Sequence, residues 1–304
     1  MQSEKPSLVF FGSGPVAAES LRLLLHEFQI EAIITKITTL TEMKKIVNNV
    51  PIFCVANKAE LSELFVERRF ISKVGVLIDF GIIVTQDVID YFEFGIVNSH
   101  FSILPELRGA DPISFALLDG RKTTGVSLML LVQAMDEGPI LTSKKLSITD
   151  TDTSIELSTK LIHLSHDLLV ETLPKYLAMQ IKPESQDTKT TEPTYTRKLT
   201  KQDGVIDWNK DALTLEREIK AYIEWPKSRT RLGSVDVVIT KAYCVPSNTP
   251  DSKPGDIKII PEINLLSVET KNGCLYIEKL KPVGKKEMDS QAFLAGYKNR
   301  VFEY

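Results

Sequence analysis

Between Phe94 and Gly138 the chain alternates a buried strand, a helix and a second buried strand, a succession that few folds accommodate. Phe94-Gly95-Ile96-Val97-Asn98-Ser99-His100 reads as a short apolar strand giving way to a loop. Asp111 then offers a capping carboxylate, Pro112 takes the first helical position and Gly120 stands just past the last apolar turn, so a helix has both ends marked. Gly125–Val132 is the second buried strand, left by the turn Met135-Asp136-Glu137-Gly138. The succession predicts a parallel crossover in an α/β sheet. Asn98, His100 and Asp136 would then emerge at the carboxyl ends of neighbouring strands, the edge where open α/β sheets hold their ligands.

The residue types matter as much as their positions. Side chains alternate along an extended chain, so Asn98 and His100 project to one side. Such a pair can donate to the oxyanion that forms when an amine attacks an acyl carbon, where one donor is worth roughly 10²–10³ in rate. A carboxylate such as Asp136 beside the imidazole can hold it charged, orient it and order a water that relays the proton. An Asn-x-His at a strand end is also ordinary turn chemistry with a hydrogen-bonded histidine, and spacing alone does not separate the two.

Upstream, Leu8–Phe11 is a first strand, Gly12-Ser13-Gly14-Pro15 turns into a helix bearing Val16, Leu21, Leu24 and Leu25, and Ala32–Lys36 is a second strand. The glycines trace part of a dinucleotide fingerprint with Ala17 in third place. No acidic residue ends the second strand to take a ribose hydroxyl, which favours tight strand-to-helix packing as their role. Ser154–Leu177 carries Ile155, Leu161, Leu164, Leu168 and Leu177 in a helical stripe. His163 and His166 share that helix, but a zinc site needs a third protein ligand and no motif supplies it, so they read as solvated and no metal is expected. Pro183, Pro193 and many Thr and Lys residues mark 182–200 as an extended linker. A helix capped by Asn209 then runs to about Tyr222. Val235–Ile239, Asp256–Ile260, Leu265–Val268 and Cys274–Ile277 follow as short strands at near-regular spacing, as in a small barrel.

A length of 304 residues leaves room for two domains, expected at 1–181 and 201–304 on either side of the linker. The content, 43% hydrophobic and 25% charged, is that of a globular protein, and no apolar run reaches bilayer length, so no membrane association is expected. The opening Met1–Pro6 is short and polar for a secretion signal. Cys54, Cys244 and Cys274 are isolated and lack metal-site spacing, which points to a reducing, cytoplasmic setting. Residues 201–304 hold 17 basic and 15 acidic side chains against 20 and 25 in the first 200, so the second domain is the more basic. Within it Lys227, Arg229 and Arg231 alternate as they would on one face of a strand, and Lys279, Lys281, Lys285 and Lys286 gather further on. These form either a solvated basic face or a phosphate-binding surface.

The stretch Asn98-Ser99-His100-Phe101-Ser102-Ile103-Leu104-Pro105-Glu106-Leu107-Arg108-Gly109-Ala110-Asp111-Pro112-Ile113, with Met135-Asp136-Glu137-Gly138-Pro139-Ile140-Leu141 after it, resembles the signature of the 10-formyltetrahydrofolate-dependent formyltransferases. The likeness continues through Tyr195–Leu199, Asp203–Trp208, Trp225-Pro226 and Lys281–Met288, motifs of the members that act on aminoacyl-tRNA, and covers nearly the whole chain. It implies an α/β fold: an N-terminal Rossmann-like domain with a mostly parallel sheet, plus a small C-terminal oligonucleotide-binding-like β-barrel. By the resemblance, Asn98, His100 and Asp136 are the catalytic triad. Ser102, Ile103, Leu104 and Pro105 match the tetrahydrofolate-contacting segment. Phe80, Gly81, Ile82, Ile83 and Val84 match the pterin-pocket loop, a run that reads equally as core. The implied reaction moves the formyl group of 10-formyltetrahydrofolate to the α-amine of methionyl-initiator tRNA, with Lys227, Arg229, Arg231, Lys285 and Lys286 on the tRNA and the chain acting as a monomer.

Three departures from the family pattern stand out. The long basic, glycine-rich loop that follows the second strand and enters the tRNA acceptor end has no counterpart; Lys36, Lys44 and Lys45 are its substitutes by position before a strand near Ile52. Phe101 stands where a small residue or proline is usual, and Val132 and Ala134 where an acidic residue and a glycine are frequent. The first departure keeps open an amino-sugar nucleotide N-formyltransferase using the same donor. A folate- or RNA-binding protein without turnover is the reading from another class.

Overall fold

β1 (Ser7–Gly12) is apolar and buried from Leu8 onward, as a strand covered on both faces must be. In this computed structural model, which describes residues 5–246 and 252–302, α1 (Pro15–Leu24) follows with Pro15 at its first position and Ala17, Ala18, Leu21 and Leu24 buried at helical spacing. Met1–Glu4, most of the polar opening segment, lie outside the described residues. Next come β2 (Gln29–Thr35), a 3₁₀ turn at Ile37–Thr39, α2 (Leu40–Ile46), β3 (Ile52–Cys54), α3 (Lys58–Glu67), β4 (Gly75–Ile78), α4 (Gln86–Asp90) and β5 (Ile96–His100). After them lie β6 (Arg108–Gly109), α5 (Pro112–Leu118), β7 (Thr123–Leu130), β8 (Ile140–Ser147), α6 (Ser154–Leu177) and β9 (Tyr195–Thr196). The main sheet has the order β3-β2-β1-β4-β5-β7-β8 and is parallel from β3 to β5. Part of its core is aromatic: Phe11 meets Phe65, Phe80 and Phe92 at ring separations of 6.0, 5.7 and 6.0 Å.

Packing accounts for the glycines after β1. A Cβ on Gly12 would stand 2.6 Å from the Phe10 ring, 2.7 Å from Ala17 and 2.9 Å from the Ile78 carbonyl oxygen. Beside Gly14 the Asp79 carboxylate lies 3.1 Å from where a Cβ would be, a charge that repels a pyrophosphate.

β7 does not run parallel to β5, contrary to the expected crossover. Asn98 pairs with Met129 and His100 with Ser127 in an antiparallel ladder, and β8 lies antiparallel to β7. The reason is the end of β5 to which the chain returns: Ser127, the first residue of β7 in this ladder, faces His100, the last residue of β5, and a strand that re-enters beside the end its neighbour has just left runs the opposite way. Asp136 therefore falls in the β7–β8 hairpin loop. At the head of α5, Asp111 has φ 58 instead of the extended backbone usual at an N-cap. β8 carries little strand signal of its own, since Lys144 and Lys145 at its centre are exposed; the ladder to β7 makes it a strand. On α6, His163 is exposed and His166 lies 3.1 Å from Asp167. Among the described residues no three His, Cys, Asp or Glu side chains are gathered to hold a metal ion, and no helix is long and apolar enough to cross a membrane.

The chain divides into two compact units, the second formed by Ile113–Lys122, Thr149–Leu157 and the residues from Arg197 on. Its further elements are a 3₁₀ turn at Lys201–Gly204, α7 (Ala212–Ala221), β10 (Ser228–Leu232), β11 (Val235–Val245), β12 (Ile257–Ile260), β13 (Leu265–Glu269), β14 (Cys274–Pro282), β15 (Met288–Asp289) and α8 (Ser290–Phe302). The sheet is antiparallel in the order β10-β11-β14-β13-β12, with β15 on β14. Val235, Val237 and Ile239 alternate inward toward Leu215, Ile219, Leu266, Leu275, Ile277 and Phe293. The small antiparallel β domain thus forms as expected, supplemented by α8, which no periodic apolar stripe announces. α7 begins later than expected. Asp211 is its N-cap, because Asn209 is held in a turn by Asp207, whose Oδ1 accepts the Asn209 amide at 3.0 Å.

Candidate active site

Asn98 and His100 occupy alternate positions of β5 and share a face, 7% and 6% exposed respectively. The hairpin brings the third group to them. Asp136 has φ 53, and its loop folds back tightly at Gly138, where a Cβ would stand 1.7 Å from the Leu130 carbonyl oxygen. The Asp136 carboxylate accepts the Gly109 amide at 2.7 Å on Oδ2 and Asn98 Nδ2 at 3.4 Å on Oδ1. Oδ2 also lies 3.7 Å from His100 Nδ1, an ion-pair contact too long for a hydrogen bond. His100 Nε2 is 2.8 Å from the Leu107 carbonyl. A carbonyl only accepts, so Nε2 carries a hydrogen, and Nδ1 is the ring nitrogen that faces Asp136.

The segment joining β5 to β6 is held by internal pairing of its polar groups. Ser102, 1% exposed, donates to the Glu106 carbonyl at 2.6 Å. Ser127 donates to the Ser102 carbonyl at 2.8 Å and accepts the Leu104 amide at 3.1 Å. Phe101, Leu104 and Pro105 are buried, while Ile103 is half-buried over Gly125, whose absent Cβ would stand 2.4 Å from Ile103 Cδ1. The other expected folate loop is split: Phe80 and Val84 are core, Ile82 is half-buried, and Gly81 and Ile83 are exposed. Lys36 Nζ donates to the Gly81 carbonyl at 2.8 Å, tying the residue after β2 to that loop.

Residues 186–196 fasten the loops that carry Asp136 and Leu107. Gln186 Nε2 donates to the carbonyls of Asp136 at 2.7 Å and Gly138 at 2.9 Å, and its Oε1 accepts from Arg108 Nη2 at 2.6 Å and Nε at 3.2 Å. The buried Arg108 also pairs with Glu137 at 3.1 Å and donates to the Tyr195 hydroxyl at 3.1 Å. Thr194 accepts the Leu107 amide at 2.8 Å on its hydroxyl and the Arg108 amide at 2.9 Å on its carbonyl, next to the parallel pairing of β6 with β9. Sequence reasoning missed Gln186 and Thr194 because the Thr, Lys and Pro content of the segment reads as a linker. The contacts they make span 50 and 87 residues of chain; the Tyr195–Leu199 motif was the available signal.

In the second unit, the ladders place Arg229, Val238 and Lys281 in one row across β10, β11 and β14, on the face opposite the inward-pointing Val237 and Ile239. Arg231 lies on this face too, 3.7 Å from Asp236. Lys227 does not continue the alternation as expected. Its φ is 71 and it precedes β10, because its amide turns back to the Tyr222 carbonyl at 2.9 Å. Arg229 is half-buried and donates to the Lys201 carbonyl. Lys285 and Lys286 are exposed between β14 and β15.

The formyl transferase family matches residues 34–173, and the formyl transferase C-terminal domain matches residues 198–298. Methionyl-tRNA formyltransferases of Streptococcus pneumoniae strains Hungary19A-6 and TIGR4 are each 32% identical to this chain over 302 residues, covering 95% of it and 95% of theirs. Two solved structures share the fold. HypX from Aquifex aeolicus in complex with tetrahydrofolic acid has a TM-score of 0.65 at 15% identity; the match covers 99% of this chain and 48% of HypX, so this chain spans about half that protein. The N-formyltransferase from Helicobacter canadensis with folinic acid and dTDP-3-aminofucose has a TM-score of 0.65 at 16% identity, covering 90% of this chain and 98% of that one. With both domains matched and full-length relatives at this identity, the chain belongs to the formyl transferase family, among the methionyl-tRNA formyltransferases.

Proposed function

We propose that this chain transfers the formyl group of 10-formyltetrahydrofolate to the α-amine of methionine esterified to initiator tRNA, with Asn98, His100 and Asp136 as its catalytic residues. The observation that carries the reading is the convergence of the buried Asn98 and His100 with the half-buried Asp136 in a chain whose full-length relatives are methionyl-tRNA formyltransferases. The amine nitrogen attacks the formyl carbon, forming a C–N bond and an oxyanion. The Asn98 amide, which among the described residues makes one long contact, donates to that oxygen, as does His100 Nδ1 when it carries a hydrogen. Collapse breaks the bond between the formyl carbon and N10 of the folate. The incoming nitrogen gives up a proton and N10 takes one, and Asp136 serves as the relay with a bound water. Burial of the set strengthens each of these interactions over its value in water.

The folate lies along Ser102, Ile103, Leu104 and Pro105 and the loop Phe80, Gly81, Ile82 and Val84, meeting side chain at Ile103, Ile82 and Ile83 and backbone elsewhere, since the Ser102 hydroxyl is spent on Glu106. Lys227, Arg229, Arg231, Lys285 and Lys286 take phosphates of the tRNA, positioning it without reading sequence. The protein works as a monomer in the cytoplasm. A second acceptor, an amino-sugar nucleotide, is kept in view by the β2–β3 connection, a 3₁₀ turn and a seven-residue helix in place of a long basic loop. Formyl transfer to initiator methionyl-tRNA, elongator methionyl-tRNA and a panel of amino-sugar nucleotides, run side by side, decides between them. Initiator-selective transfer is expected; transfer to a sugar amine alone would overturn the assignment.

A further inference from the structure

We propose that Gln186 is a positioning residue for formyl transfer, acting through Asp136; this rests on the catalytic reading above. The Asp136 loop needs an external hold. Asp136 has left-handed backbone, which an L-residue keeps only where its surroundings over-determine it. Its neighbours Met135 and Glu137 are exposed. Among the described residues, Gln186 is the side chain that binds the main chain of Asp136, spending both hydrogens of its amide on the carbonyls of Asp136 and Gly138.

The orientation of that amide is fixed by what lies on its other side. Oε1 accepts two N–H groups of Arg108, so a reversed amide would set N–H against N–H and oxygen against two carbonyl oxygens. Arg108 is itself buried and braced by Glu137 and the Tyr195 hydroxyl. The chain of contacts therefore runs from a rigid guanidinium through one glutamine to the backbone of Asp136. From there it reaches a carboxylate whose second anchor is the Gly109 amide, the residue after Arg108. Gln186 touches neither Asn98 nor His100 in this network. It acts by setting where the Asp136 carboxylate stands, 3.7 Å from His100 Nδ1, and a displacement of about 1 Å in such a group costs about 100-fold in rate.

The discriminating variant is Gln186→Glu. It keeps shape and the acceptor for Arg108, but replaces the donor with an oxygen that repels both loop carbonyls. Steady-state transfer from 10-formyltetrahydrofolate to methionyl-tRNA is measured for the wild type, Q186E, D136N and the double variant. Q186E is expected to lose about 100-fold in kcat with KM for both substrates within about twofold, and to cost D136N less than about twofold, since a residue acting through Asp136 has nothing further to remove. Near-wild-type kcat in Q186E, or a full additional loss on D136N, would overturn the proposal. A wild-type rate in D136N alone would instead overturn the catalytic reading. Should Q186E not fold, Gln186→Met, which removes the donor without adding charge, carries the same cycle with the same two outcomes.

Discussion

His100 Nδ1 and Asp136 Oδ2 stand 3.7 Å apart, while the opposite ring nitrogen of His100 is committed to the Leu107 carbonyl at 2.8 Å. The imidazole is thus oriented from both sides, with Nδ1 facing the carboxylate. Asn98→Ala, His100→Ala and Asp136→Asn are each expected to lower kcat by about 10²–10³ while changing folate affinity by less than about threefold. Single-turnover transfer beside a folate-binding titration reads both quantities. A variant that keeps the wild-type rate leaves the mechanism.

Gly138 permits the hairpin loop to fold back on Leu130, where a Cβ would meet the carbonyl oxygen at 1.7 Å. That obstacle is backbone and cannot swing aside. Gly138→Ala is expected to cost about 1–3 kcal/mol in urea denaturation and to lower kcat as well, because Asp136 moves with the loop. Unchanged stability would mean that the loop takes another course.

Arg197 holds Asp203 through both carboxylate oxygens, and Thr200 adds its amide and hydroxyl. The Arg197 hydrogen bond, with those from Thr200, outweighs burial and keeps the Asp203 carboxyl well below the usual carboxylate range. A depressed folded-state pKa contributes stability that is present above the unfolded value of about 3.9 and is lost as pH falls below it toward the folded value. Asp203→Asn should therefore be less stable than wild type above about pH 5, with the difference narrowing steadily at lower pH. Thermal denaturation across that range is the measurement. A pH-independent difference would show that the ion pair contributes nothing.

Arg231 and Lys281 are exposed on the outer face of the second unit, whereas Arg229 is half-buried, bonded to the Lys201 carbonyl, and has its Nε buried without a partner. The three replacements by Ala are expected to separate. Arg231→Ala and Lys281→Ala should each raise KM for methionyl-tRNA and reduce its salt slope by about 1, with kcat retained. Arg229→Ala should act first on stability. Salt titrations of KM that leave the slope unchanged would place the tRNA elsewhere.

The parallel half of the first sheet was legible because its signals are local. β1 and β5 are apolar runs bounded by glycine and polar turns, and the stripe of Ser154–Leu177 coincides with α6 to the residue. β8 and α8 were not, since exposed lysines interrupt one and a weak apolar face hides the other; pairing and packing made them. Asn98 and His100 were legible as an alternate pair on one strand. Their link to Asp136 was read through the wrong strand direction, because which end of β5 the chain returns to is set by the long-range ladder between β5 and β7 and not by any residue within β7.

By itself, the sequence settled what is encoded over a few residues: the existence of most strands and helices, the two-part organisation in kind, the residue types able to stabilise an oxyanion and move a proton, and membership of the formyl transferase family. Tertiary structure alone decided that β5 and β7 are antiparallel, that Asp136 returns on a hairpin loop, and that Gln186 and Thr194 hold the loops carrying Asp136 and Leu107. The physical reason is range. Alternation, helical spacing and capping act between neighbours, whereas a hydrogen bond across 50 or 87 residues of chain leaves no periodic mark on either partner.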